Sequence, residues 1–379
     1  MSQFDFSQYY GLTCMKDKPV LIIAILMKSR GAIGGMAQRF CFVGNEFINR
    51  NCRVELLTTQ SLLKALKLKK RKHIHALDDY EGNISWSSLL KIFYIVIKVL
   101  FSRYSQVHIS GAGRLLPVIV WASKWSNTKL SCTFASRTLQ MASYGRAEDE
   151  ARWVSLLNAV DMIDVLNPSH NLSRWGSKIK ISPCSFPSNT TCLPESFSHR
   201  RKPVAIFCGA LEKNKNPILA IEIVEEYLNV NDVELEMLIF GKGPLLERVE
   251  QKAFSINARH NREVIRFCDY GELAQSLSTA NFFFSLQEVD NYPSQSLMEA
   301  MLLGCKVIAT DEGDTHMMLP RNAAGNAIIN SRSPVCYVDA VKNALAQPVA
   351  CYENVAHIHA NHSLDNFVKY FSEFASIKL

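Results

Sequence analysis

The sequence predicts an α/β protein of two doubly wound, Rossmann-like domains facing a central cleft. Three observations carry this. The chain has 379 residues, 48% of them hydrophobic, enough for two cores of ordinary domain size. Short apolar runs alternate with amphipathic helical stretches, the pattern of parallel sheets covered by helices. Residues 182–202 (SPCSFPSNTTCLPESFSHRRK) interrupt that alternation with Pro, Ser and Thr and read as a linker. Domains are therefore expected at 1–185 and 186–364, with a terminal helical segment at 365–379.

Taken in order, residues 19–27 (PVLIIAILM) form a continuous apolar run, suited to a strand buried on both faces. Gly31, Gly34 and Gly35 follow, then a helical pattern through Phe40, Phe47 and Ile48, then a strand Arg53–Thr58. Strand, glycine loop, helix, strand is a βαβ opening. Ser88–Ser102 reads as a very apolar helix whose one polar stripe is Ser88, Lys91, Lys98 and Ser102. Strands are expected at Val107–Ser110, Leu130–Ala135 and Met162–Leu166, and helices at Leu115–Lys124 and Ala147–Ala159. After the linker come strands Val204–Cys208, Leu235–Phe240, Val264–Phe267, Phe282–Ser285 and Lys306–Thr310. Helices are expected at Pro217–Tyr227, Leu245–Ser255, Ser294–Leu303 and Asp365–Ile377.

Composition excludes several classes. Charged residues are 20% of the chain, with 17 Gly and 13 Pro, which excludes collagen and wholesale disorder. No apolar run approaches the ~18–20 residues of a bilayer-spanning helix. Met1–Asp17 has no apolar core, so no signal peptide is expected. The 11 cysteines lie scattered, without a CxxC pair or zinc-ligand spacing, and suit reduced thiols in a cytoplasmic protein. No bound metal or cofactor is expected.

Charge is unevenly distributed. Residues 1–185 hold 25 basic and 12 acidic side chains, or +13; residues 186–379 hold 17 and 23, or −6. The first half is therefore expected to meet something anionic. Lys64–Lys72 (KALKLKKRK) carries six Lys/Arg and is the candidate contact for an anionic membrane surface. Nucleic acid is not expected, because the region lacks interleaved aromatics and binding motifs.

The strongest functional signal is the segment NFFFSLQEVDNYPSQSLMEAMLLGCKVIATDEGDTHMMLP, from Asn281. A buried strand ends at Ser285, a polar loop runs to Asn291, and Pro293 and Ser294 begin a helix containing Glu299. Loops at the carboxyl ends of strands in open α/β sheets bind ligands. A helix N-terminus there favours phosphate, and a carboxylate just inside it can accept from a ribose diol.

This segment resembles the signature of retaining GT-B glycosyltransferases of family GT4: a glutamate, seven residues, a second glutamate, then Ala-Met and a glycine. Glu299, Ala300, Met301 and Gly304 match; Asn291 stands at the first glutamate. FCGALEKNKNP (Phe207–Pro217) resembles the strand-end segment whose Arg and Lys hold the donor diphosphate. Gly209 and Lys215 match it, and Ala210 replaces the arginine. LIFGKGPLLERVE resembles the G-x-GP turn through Gly241, Gly243 and Pro244, and Gly34-Gly35 resembles the glycine pair near the phosphates.

The resemblance implies a GT-B fold and a metal-independent transferase that moves a sugar from a UDP- or GDP-sugar with retention of configuration. The acceptor it implies is a glycan or polyprenyl-linked glycan, in capsule, O-antigen or similar surface polysaccharide synthesis, on the cytoplasmic side of the membrane. It assigns Lys215 and Asn291 to catalysis. It assigns Gly34, Gly35, Gly209, Lys215, Gly241, Gly243, Asn291, Tyr292, Pro293, Ser294 and Glu299 to donor binding. It also implies that the last helix packs back on the first domain. His316 lies where the family approaches sugar and phosphates. Arg30, Arg137 and His108 are open candidates for a first-domain catalytic residue. Other readings remain: a degenerate transferase that binds a sugar nucleotide or partner without turnover, or a sugar-nucleotide epimerase. A nicotinamide-dependent dehydrogenase is disfavoured, since no GxGxxG follows the first strand.

Overall fold

The structure is a computed structural model that describes residues 18–25, 35–78, 85–110, 116–134, 147–167, 172–182, 186 and 202–379. The chain divides into two compact units, Met1–Pro183 with Leu364–Leu379, and Cys184–Ser363.

The first unit comprises β1 (Val20–Ile23), α1 (Gly35–Asn49), β2 (Val54–Thr59), α2 (Gln60–Ala65), β3 (Ile74–Leu77), α3 (Trp86–Leu100), β4 (Gln106–Ile109), α4 (Leu116–Lys124), β5 (Lys129–Phe134), α5 (Ala147–Ala159), β6 (Met162–Val165) and β7 (Ile179–Ile181). Its sheet is parallel, in the order β3-β2-β1-β4-β5-β6-β7. The order reverses between β1 and β4, as in a doubly wound sheet.

The second unit comprises β8 (Val204–Cys208), α6 (Pro217–Val230), β9 (Glu236–Phe240), α7 (Leu246–Arg259), β10 (Ile265–Phe267), α8 (Leu273–Leu277), β11 (Phe282–Ser285), α9 (Gln295–Leu302), β12 (Lys306–Thr310), β13 (Ala327–Ile329), α10 (Val338–Ala346) and α11 (Tyr352–Asn361). This sheet is also parallel, in the order β10-β9-β8-β11-β12-β13. Ile221, Val224, Ile239, Ile256 and Val341 fill one face; Leu238, Phe283, Met298, Met301 and Ile358 fill the other. Strands buried on both faces explain the continuous apolar runs of the sequence.

α12 (Leu364–Phe374) closes the chain on the first unit. Phe371 and Phe374 meet the His108 ring edge-on, and Phe367 and Phe371 meet Phe40 of α1.

Under these rings runs a buried polar chain. Gln106 Nε2 donates to Ser131 Oγ at 2.7 Å, and Ser131 Oγ lies 3.0 Å from His108 Nδ1. Thr133 Oγ1 lies 3.1 Å from His108 Nε2 and donates to Asp164 Oδ2 at 2.8 Å. With Asp164 ionised the Thr133 proton is committed to the carboxylate. Oγ1 must then accept from His108 Nε2–H, and Nδ1 accepts from Ser131. His108 is therefore a neutral Nε2–H tautomer, and burial holds its pKa down to about 3. Wholly enclosed, it is a structural residue and not a first-domain catalytic group.

The polar stripe of α3 turns towards the sheet edge: Ser88 is buried, Lys91 Nζ donates to Ala76 O at 2.7 Å, and Lys98 Nζ reaches both Glu55 oxygens at 2.6 and 2.7 Å. Glu55 also accepts from Tyr104 Oη at 2.7 Å and pairs with His75 Nε2 at 2.9 Å. Ile95, Val96 and Val99 enter the core. Ile92 and Leu100 pack against that core, and Trp86, Leu89, Leu90, Phe93 and Tyr94 are exposed.

Candidate functional site

The order of the second sheet reverses between β8 and β11, which makes their carboxyl ends the ligand crevice of the fold. Three loops meet there. The loop after β8 continues the strand through Gly209 to a 3-10 turn, Lys213–Lys215. Asn216 then turns left-handed at φ 53°, and Pro217 opens α6 as its first residue. The loop after β11 joins it directly, because Glu288 N–H donates to Asn214 O at 2.9 Å.

The loop after β9 lies against the loop after β8. Leu211 N–H donates to Lys242 O at 3.0 Å, and Leu245 N–H donates to Leu211 O at 2.9 Å. A Cβ on Gly241 would sit 2.0 Å from Gly209 O, and one on Gly243 would sit 2.5 Å from Leu211 O. Both glycines are thus required by the contact of backbone on backbone. Gly209 differs: a Cβ there would meet nothing within 4 Å.

Asp290 shapes the loop before α9. Its Oδ1 accepts from Tyr292 N–H at 3.0 Å and from Asp314 N–H at 3.3 Å, which ties this loop to the one after β12. Gly313, at φ +55°, packs on the Asp290 side chain with no room for a Cβ. Tyr292 joins Pro293 through a cis peptide bond. Ser294 is the N-cap of α9 and accepts from Leu297 N–H at 3.4 Å, so the helix begins at Gln295, one residue later than expected.

Glu299 sits one turn into α9, half-buried, and Lys215 ends the 3-10 turn after β8. Both act electrostatically on the Cys208 thiol at the end of β8. Burial pushes that thiol up to about 12, and the Glu299 carboxylate adds to the rise. Hydrogen bonding with Tyr270 and the Lys215 ammonium oppose it. The Tyr270 phenol is itself raised by burial and by its neighbours Cys208 and Glu299. Glu299, Lys215, Tyr270 and Cys208 therefore share one small region at the switch point. The sequence reading missed Tyr270, Cys208 and Asp290. Gln287, with a buried Oε1 that has no partner among the described residues, was also missed.

Asn291, Tyr292 and Pro293 are half-buried on the loop, Ser294 is buried, and His316 is exposed in the 3-10 turn Thr315–Met318. Gly35 is the first residue of α1. Gly34, Arg30, Arg137 and most of the expected linker lie outside the described residues. Among the described residues no group of three or more His, Cys, Asp or Glu could hold a metal ion.

Two parallel sheets of Rossmann type in sequence, covered by helices, make the fold that of GT-B glycosyltransferases. Residues 193–361, within the second unit, match the family described as glycosyl transferases group 1. Solved structures of the same fold include Anabaena HepE in complex with UDP and glucose (TM-score 0.70, 11% identity, covering 95% of this chain and 99% of that one). The pneumococcal O-GlcNAc transferase GtfA with UDP and GlcNAc is similar at TM-score 0.69 and 11% identity, over 95% and 99% of the two chains. Sucrose-phosphate synthase from Thermosynechococcus elongatus follows at TM-score 0.67 and 16% identity, over 95% and 98%. No curated protein matches the chain by sequence.

Proposed function

We propose that the chain is a metal-independent, retaining glycosyltransferase that moves a sugar from a UDP- or GDP-sugar to a glycan or polyprenyl-linked acceptor. The carrying observation is the grouping of Lys215 and Glu299 around Cys208 at the switch point of the second sheet. The match to glycosyl transferases group 1 spans both residues, and HepE and GtfA were both solved with UDP.

In this reading Glu299 accepts from the ribose diol, while Lys215 stabilises the diphosphate, whose charge grows as the glycosidic bond breaks. Gly209 leaves space for phosphate, and the amino end of α9 with Asn291, Tyr292, Pro293 and Ser294 faces the sugar diphosphate. The first unit holds the acceptor. Surface polysaccharide synthesis at the inner face of the cytoplasmic membrane fits the basic run Lys64–Lys72, whose six cations are all exposed. Among the described residues no helix is long and apolar enough to cross a membrane.

One observation favours the degenerate reading as the alternative. Asn291 replaces an acid, and the neighbouring Asp290 carboxylate already accepts two backbone N–H groups. The deciding experiment is a thermal-shift screen against UDP-, GDP-, ADP- and CMP-sugars in EDTA, followed by donor turnover. One nucleotide class should stabilise the protein by about 2.7 kcal/mol at ~100 times its Kd. No shift with any of them would sink the donor site. A shift without hydrolysis or transfer would favour the degenerate reading.

A further inference from the structure

The outward face of α3 and α4 is apolar and aromatic. Trp86, Leu90 and Phe93 on α3 are 82%, 66% and 63% exposed, and Phe101 just past its end is 73% exposed. On α4, packed beside α3, Trp121 is 53% exposed, and Trp125 just beyond it 74%. Three of the chain's five tryptophans therefore stand in solvent on adjacent helices. The α3 residues recur at i, i+4 and i+7, so they form one stripe about 10 Å long on the 15-residue helix. A contiguous patch of this kind marks an interaction surface.

Its electrostatic surroundings differ from end to end. The Asp78 carboxylate accepts from Ser85 and Ser87 at the start of α3, while the sequence 82–147 that follows contains eight Lys/Arg and no Asp or Glu. α3 and α4 both lead into the amino ends of strands, as does the basic run, which enters β3. The topology thus brings Phe101, Trp125, Arg103, Lys124 and Lys69–Lys72 to the same edge of the sheet. A second copy of this surface would set two cationic fields against each other. An anionic lipid surface matches both properties: headgroups take the cations, and the headgroup–acyl boundary takes Trp and Phe.

We infer that the outer face of α3 and α4 inserts at the boundary of an anionic bilayer, with the Lys64–Lys72 cations on the headgroups beside it. This deepens the membrane contact read from that basic run, and it does not depend on the donor site. The helix lies in the interface and does not cross it.

The test uses the full chain with sedimenting vesicles of phosphatidylglycerol and phosphatidylcholine, and of phosphatidylcholine alone. Two variants are compared: Trp86→Ser/Phe93→Ser/Trp125→Ser, and Lys69→Gln/Lys70→Gln/Lys72→Gln. The wild type should bind the anionic vesicles, with tryptophan emission shifted to the blue and quenched by brominated acyl chains. The apolar variant should lose at least ten-fold in partitioning at both low and high salt. The lysine variant should lose mainly at low salt and keep the blue shift. An unchanged thermal unfolding midpoint shows that the apolar variant is folded. A retained nucleotide-induced shift separates this result from any failure of the transferase reading. Vesicle binding by the apolar variant equal to wild type would overturn the inference. So would a wild type that ignores anionic vesicles, or a dimer in light scattering that the apolar substitutions dissolve.

Discussion

The Tyr370 hydroxyl on the last helix donates to Asp164 Oδ1 at 2.7 Å, across 206 residues of sequence. Asp164 is wholly buried on β6, and its other oxygen accepts from Thr133 at 2.8 Å. Burial raises its pKa to about 6, against the pull of Tyr370, Thr133 and the Arg39 charge. The aromatic face of α12 supplies the apolar part of the same contact, through Phe367, Phe371 and Phe374. A carboxylate this deep is sustained by its donors, so the tyrosine both docks the helix and keeps the strand below it tolerable.

Tyr370→Phe should therefore destabilise the protein by about 1–3 kcal/mol at pH 7, the cost of removing one partner from a buried charge. Without that donor the carboxyl titrates still higher and protonates more readily in the folded state. The loss should shrink at pH 5, measured by urea unfolding at both pH values. Equal penalties at pH 5 and pH 7 would mean that Asp164 does not change charge over that range.

Asp164 and Glu55 should give the first unit opposite pH dependences. The folded pKa of Asp164 is raised above 3.8, so its contribution is full below about pH 4 and is lost as pH rises through about 6. Glu55 is lowered to about 2: burial would raise it, but bonds from His75, Lys98 and Tyr104 together prevail. Its contribution is present above 4.5 and is lost as pH falls through 2. Discounted for partial exposure, this is about 1–3 kcal/mol. Glu55→Gln should flatten the acid limb of a stability–pH profile, and Asp164→Asn the limb between pH 4 and 6. A Glu55→Gln profile parallel to wild type below pH 4.5 would sink the Glu55 assignment.

Much of this was legible beforehand where local pattern and tertiary environment agree. β8, β11 and β12 are continuous apolar runs bounded by turn residues, and their limits were expected to the residue. β3, β7 and β13 were missed: each is an edge strand of only three or four residues, too short for its run to stand out, and in β7 and β13 Ile181 and Ile328 face water. In α3 the composition gives the helix, while the partners of its polar stripe, Glu55 and Ala76 O, are decided only by tertiary placement. At the site, Glu299 and Lys215 stood out through their resemblance to the family's motifs. Asp290 did not, because it acts through backbone N–H groups of two loops, and Tyr270 arrives from another part of the chain.

The glycines of the second unit separate packing from binding. Gly241→Ala drives a Cβ onto Gly209 O, a backbone atom that cannot swing away. It should destabilise by roughly 1–3 kcal/mol, as overpacking does, and lower donor affinity only through the distorted loop. Gly209→Ala meets nothing in the protein and should leave the unfolding midpoint unchanged. If phosphate approaches there, nucleotide affinity nevertheless falls. An unchanged nucleotide Kd in Gly209→Ala, by calorimetry, would remove Gly209 from the donor site.

Glu299 and Lys215 should fail in different ways, although both border Cys208. A carboxylate that holds the ribose does so equally in ground state and transition state. Glu299→Ala should weaken nucleotide binding by about 1.5–3 kcal/mol and raise KM with little change in kcat. The charge on the diphosphate grows only as the bond to the sugar breaks. Lys215→Ala should then lower kcat by more than it raises KM, because its contribution is realised in the transition state. Steady-state kinetics on the donor identified by thermal shift, with nucleotide Kd measured alongside, distinguishes the two. If Lys215→Ala loses only ground-state affinity, the lysine is an anchor and the stabilisation of the leaving group lies elsewhere. If Glu299→Ala leaves nucleotide Kd unchanged, the ribose is held by another group.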